Sequence, residues 1–97
     1  MATYITMLNF TQQGVETIKD APDRIAAARQ AFEAMGAEMK QFFLTMGRYD
    51  AVVIIEAPDD ETVAKLALAI GSQGNAKTET LRAFSQDEFL GIVAGLP

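Results

Sequence analysis

The 97-residue sequence has no cysteine and no histidine, and each absence removes a class of chemistry. Without cysteine there is no disulfide, no thiolate metal ligand and no thiol nucleophile. Without histidine there is no imidazole-bound metal or haem, no Ser-His triad and no imidazole acid or base. Positive charge is also scarce. Eight Lys and Arg face thirteen Asp and Glu, so the net charge is −5. Nucleic-acid affinity comes largely from basic groups displacing counterions, so a nucleic-acid partner is not expected. The same deficit disfavours anionic membrane surfaces. No basic-plus-apolar leader is visible, and no apolar run reaches the ~18 residues of a membrane span. A cytoplasmic protein without cofactor or metal is the expectation.

What remains is apolar for its length. Hydrophobic residues make up 49% of a chain with room for one domain, residues 1–97. A chain this short buries only roughly 60–65% of its unfolded surface. The surplus therefore suggests apolar surface covered by another chain, although many of these residues are alanines.

Residues 3–10, TYITMLNF, read as a first strand, and the polar stretch 11–20 as a loop with room for one helical turn. Residues 21–36 carry Ile25, Ala28, Phe32 and Met35 at helical spacing, with Pro22 tolerated in the first turn and Gly36 as the stop. A second strand over 37–46 meets a two-residue Gly47-Arg48 turn. The third strand, DAVVIIEA (50–57), ends at Pro58. Asp59 suits the cap of the next helix, which carries Val63, Leu66, Ala67 and Ile70 and stops at Gly71. SQGN (72–75) links it to a fourth strand, 76–84. Ser85 and Glu88 have capping-box spacing before a terminal helix bearing Phe89, Ile92, Val93 and Leu96.

The order βαββαβ plus a helix predicts an α+β, ferredoxin-like fold with the first and third strands central. Lys77, Glu79 and Arg82 then blunt the fourth strand as an edge. Side chains alternate along a strand, so Ile5, Met7, Val52 and Ile54 face opposite to Tyr4, Leu8, Val53 and Ile55. Both faces are apolar, whereas a half-solvated sheet shows one polar face. The two crossover helices cover one face. The second face predicts either a homodimer packed sheet to sheet or a terminal helix folded back.

These residues carry a resemblance. The chain looks like a member of the GYD domain family through Gly47-x-Tyr49-Asp50, the following VVIIEAPDD, LALAIGSQGN (66–75) and KTETLRAFSQDEF (77–89). The resemblance covers nearly the whole sequence and implies a dimeric α+β barrel, but no reaction. A more distant likeness is to the ligand-sensing domain of leucine-responsive (Lrp/AsnC-type) regulators, whose turn motif matches Gly47-Arg48-Tyr49-Asp50 and whose last-strand motif matches Thr78-Glu79-Thr80. This chain has no room for their helix-turn-helix.

Candidate site residues gather around that turn. Tyr49 and Asp50 suit a ligand site at the barrel mouth. Equally, Gly47 forms the turn, Asp50 accepts nearby backbone N–H groups, and Arg48 is solvated at the tip. Arg82 is expected to pair with Glu56 or Glu79, or to bind an anion. Thr6 and Asn9 interrupt the first strand and suit polar contacts in a barrel cavity. Asp59, Asp60 and Glu61 fit a helix N-terminus and lack the spacing of a calcium loop. Three functions compete. The leading one is a homodimeric module, able to assemble further, that holds a small molecule. The second is a cofactor-independent oxygenase- or isomerase-like enzyme using Tyr49, Asp50 and Arg82. The third is a regulatory sensor acting through a partner protein.

Overall fold

A computed structural model describes all 97 residues. Four strands, β1 (Ala2–Phe10), β2 (Glu38–Leu44), β3 (Ala51–Ala57) and β4 (Ala76–Ala83), form one antiparallel sheet in the order β2-β3-β1-β4. The helices are α1 (Gln12–Glu16), α2 (Ala21–Ala34), α3 (Asp60–Ser72) and α4 (Gln86–Ala94). This is the ferredoxin-like arrangement, with β1 and β3 central.

The core lies between the sheet and α2 and α3. Tyr4, Val53, Ile55 and Ala57 from the central strands meet Phe32, Val63 and Leu66 from the helices. Burying each large aliphatic or aromatic side chain contributes ~1.5–3 kcal/mol, and this layer supplies most of the fold's stability. The layer is thin, because α2 and α3 make only slight contact with each other.

Side-chain caps start α3 and α4. Asp59 caps α3 by accepting from Thr62 N–H at 2.8 Å and from its hydroxyl at 2.7 Å. Ser85 and Glu88 complete a reciprocal capping box at α4, at 3.1 and 3.0 Å. Gly36 ends α2 at φ +78°, a left-handed geometry that a Cβ disfavours.

Two local expectations need correction. The segment 11–20 is ordered as α1 and a short 3-10 turn, Ile18–Asp20. Thr11 starts it by accepting from Gly14 N–H and donating to Gly74 O at 2.5 Å. Gly14 is needed there because a Cβ would stand 2.1 Å from Asn75 O. The β2–β3 connection is longer than a two-residue turn. It closes through Thr45 N–H to Asp50 O at 2.9 Å and Thr45 Oγ1 to Tyr49 O at 2.6 Å. Gly47 sits inside it at φ +123°. The strand pair also has a register shift between Met39 and Gln41, leaving Lys40 as the extra residue. Its ammonium lies 3.5 Å from Glu38 and 3.9 Å from Glu56, between two carboxylates that the register places opposite one another.

Candidate interaction surface

Strand parity leaves one sheet face without a cover from its own chain. Its centre is two cross-strand rows. Gln41, Ile54, Ile5 and Leu81 form one row, and Phe43, Val52, Met7 and Glu79 form the next. Phe43 and Leu81 are about half exposed, at 49% and 50%. Polar residues close both ends: Glu38, Glu56 and Thr3 at one, Asn9 and Lys77 at the other.

The terminal helix does not fold back over this face. No residue of α4 is buried, and its apolar side chains Phe89, Leu90, Ile92 and Val93 all stand exposed, as does Leu96 just beyond it. The molecule is accordingly long, at 52 × 31 × 18 Å. Its radius of gyration is 14.7 Å, against ~12.5 Å for a compact domain of this length. Its accessible surface is 6514 Å², against ~5,400 Å² for a compact monomer of this mass. About 1,000 Å² of extra surface is therefore exposed, on the scale of one side of a stable protein interface.

The predicted site residues do not form one cluster. Tyr49 stands at the Asn9 end of the open face, where its hydroxyl donates to Glu79 Oε2 at 2.7 Å. That donation to a carboxylate is the main reason the phenol is held above its ordinary pKa. Tyr49, Glu79, Met7, Asn9, Lys77 and Thr78 border a shallow hollow of about 210 Å³. Arg48 lies 5.8 Å from the Tyr49 ring and is exposed. Asp50 works across the sheet: its carboxylate accepts from Phe10 N–H at 2.8 Å, and its own N–H donates to Leu8 O at 2.9 Å.

Thr6 lies on the other face, under the helices, 5% exposed and 2.9 Å from the Thr80 hydroxyl. The parity that separates Ile5 from Tyr4 also separates Thr6 from Asn9, so the sequence alone distinguishes them. Glu56 lies at the far end of the open face beside Lys40.

The expected pairing of Arg82 with Glu56 or Glu79 is not formed. Its guanidinium stacks 4.4 Å from the Phe84 ring and 5.6 Å from the Tyr4 ring, and donates to the Thr3 and Ala83 carbonyls. The physical reason is parity: Arg82 follows Tyr4 and Glu79 follows Met7 in the β1–β4 register, so the two side chains leave opposite faces. The Tyr49, Asp50 and Arg82 acid–base constellation is thus not assembled within one chain. Beneath Arg82, the buried Tyr4 hydroxyl donates to Asp60 at the start of α3. This bond, with burial, raises the Tyr4 pKa. The sequence marks Asp60 only as a favourable charge for the helix end, because no local pattern signals a partner 56 residues away. No helix is long and apolar enough to cross a membrane.

Comparison with known proteins agrees with this fold. The GYD domain family model matches residues 4–93. A Thermus thermophilus protein named glutamine synthetase and cystathionine beta-lyase binding protein is 37% identical over 84 residues, covering 86% of this chain and 88% of that protein. Among solved structures, FFRP-DM1 superposes with a TM-score of 0.60 at 17% identity, over 87% of this chain and all of that one. TTHA0845 from Thermus thermophilus gives 0.54 at 21% identity, over 88% and 95% of the two chains. PHS023 from Pyrococcus horikoshii gives 0.56 at 18%, over 89% and 93%. At these identities the structures establish a shared fold.

Proposed function

This chain belongs to the GYD domain family, and we propose that it acts as a homodimeric assembly module whose dimer binds a partner protein. The observation that carries the reading is the open apolar sheet face together with the projecting α4. Two such faces laid together form a dimeric α+β barrel and bury the Ile54 and Phe43 rows. A standard interface needs ~800 Å² per partner, and the ~1,000 Å² of extra surface is enough. The charged ends, Lys40 with Glu38 and Glu56, and Lys77 near Glu79, make a polar rim around an apolar centre.

The partner class is suggested by the Thermus thermophilus relative, which is named for binding glutamine synthetase and cystathionine beta-lyase. We extend that behaviour to this chain: its dimer docks on a metabolic enzyme and presents α4 and the Tyr49 end. A cytoplasmic location belongs to the same proposal. The test is co-elution of the purified chain with glutamine synthetase and with cystathionine beta-lyase from its own source, by size-exclusion chromatography with light scattering. The reading predicts that the dimer travels with at least one of them. A dimer that elutes separately from both, at tens of micromolar each, would refute the partner assignment while leaving the dimer intact.

A further inference from the structure

The opposite side of the sheet holds a second feature that the assembly reading does not use. Between α2, α3 and the sheet lies an apolar cleft of about 190 Å³. Alanine makes it. The α2 stripe runs Ile25, Ala28, Ala31 and Phe32, and Ala67 faces it from the α3 stripe. A helix pair packed on a sheet ordinarily fills such positions with Leu or Ile. Here methyl groups stand where larger side chains would meet, and α2 and α3 touch only slightly. The floor is the core's own apolar layer, with Val53, Ile55 and Leu66.

The polar groups are few, and one of them, Thr6, stands beside Val53 in that floor. Thr6, Thr78 and Thr80 line one wall from β1 and β4. The Thr6 and Thr80 hydroxyls bond each other, and the Thr78 hydroxyl has no partner within the chain. Arg24 is the only ionisable residue lining the cleft. It is half-buried and makes no ion pair, although the chain carries thirteen acidic side chains. Its Nη1 donates to Thr17 O at 3.0 Å and Thr17 Oγ1 at 3.1 Å, and its Nη2 to Gly14 O at 3.5 Å. Those bonds hold the guanidinium in place and leave Nε–H and one Nη2–H without an acceptor. A fixed guanidinium with free donors suits a carboxylate.

We propose that this cleft is a binding site for a small amphipathic carboxylate, with its apolar body between α2 and α3 and its head at Arg24. Size limits the class. A dry cavity of ~150 Å³ holds benzene, so this one takes an apolar body of roughly six to ten heavy atoms. Absence of any acidic side chain from the lining favours an anionic head over a cationic one. The cleft opens on the helix side of the sheet, so it stays reachable when the other face is covered.

Octanoate is the probe, with 1-octanol as the uncharged comparison, each titrated into the ¹⁵N-labelled wild-type chain. The proposal expects saturable octanoate binding, with amide shifts confined to α2, α3 and the β1–β4 wall. Arg24→Gln should weaken octanoate about tenfold and leave 1-octanol unchanged, because only the charged contact is lost. Ala28→Leu should abolish binding of both and raise the melting temperature by filling the void. If Ala28→Leu does not fold, Ala67→Leu closes the same space from the other wall. Non-saturable octanoate shifts, shifts centred on the open face, or equal loss of both probes in Arg24→Gln would overturn the assignment. So would an Ala28→Leu chain that breaks the assembly, which would give the cleft to subunit packing. None of these outcomes bears on partner-enzyme co-elution.

Discussion

Replacing Tyr4 with Phe removes one oxygen and leaves the rest of its surroundings in place. The ring is 3% exposed and stays packed in the core under the Arg82 guanidinium. What goes is the donation from its hydroxyl to Asp60 at the start of α3. A hydrogen bond to a charged group contributes ~1.5–3 kcal/mol when both partners are buried. Asp60 is exposed and regains water in the variant, so the loss falls at the low end. We expect ~1–1.5 kcal/mol, which lowers the melting temperature of a ~100-residue domain by roughly 5–10 °C. Circular dichroism at matched protein concentration measures it, because melting of an assembly depends on concentration. The pH dependence gives a second, independent check. The folded Tyr4 pKa is raised above the ordinary value near 10, so its contribution is fully present below pH ~10. Above that pH the unfolded chain ionises first, and the advantage over Tyr4→Phe must shrink. A gap that stays constant from pH 8 to 11, or no gap at all, would refute the reasoning.

Four further outcomes are expected from substitutions at glycines and acids. Gly14→Ala should cost ~2–3 kcal/mol in urea denaturation, as overpacking against a fixed backbone does, since its Cβ would meet Asn75 O at 2.1 Å. Gly71→Ala, a helical glycine with no neighbouring atom near that Cβ, should instead stabilise by ~0.5–1 kcal/mol. Asp50→Asn keeps an acceptor for Phe10 N–H but loses its charge, so stability should fall by about 1 kcal/mol in the same assay. Bonds from the Thr62 hydroxyl and N–H hold the Asp59 carboxyl below its ordinary pKa. That contribution is present above the unfolded value near 4 and is lost on acidification, so the wild-type advantage over Asp59→Asn should narrow between pH 5 and 3.

The fold was legible where local chemistry decides it. Alternation along β1 and β3 showed two apolar faces, and the Asp59 and Ser85 caps marked α3 and α4. Gly14 was harder to read, because its reason is a backbone that returns 61 residues later at Asn75. The β2–β3 loop misleads for a related cause. Gly47 does adopt positive φ, but Thr45 closes the loop one residue pair further out than a Gly-x turn would. Charge alone gives Arg82 an acidic partner. Two aromatic rings and two carbonyls hold it instead, because its parity turns it away from Glu79. The alanine-lined cleft left only a faint trace in the sequence, as small residues at stripe positions. Small residues at such positions mean either tight packing or open space, and only the distance between helices decides.

The central claim is that a second copy covers the open sheet face. Sedimentation equilibrium on the wild-type chain and on Ile54→Asp tests it most directly. Ile54 sits in the middle of that face between Ile5 and Gln41, so two buried carboxylates would meet the apolar rows in each dimer. Wild type should sediment at twice its 10.5 kDa chain mass or a multiple of it, and Ile54→Asp as a folded single chain. A monomeric wild type at tens of micromolar, or an Ile54→Asp variant that associates as tightly as wild type, would contradict the account.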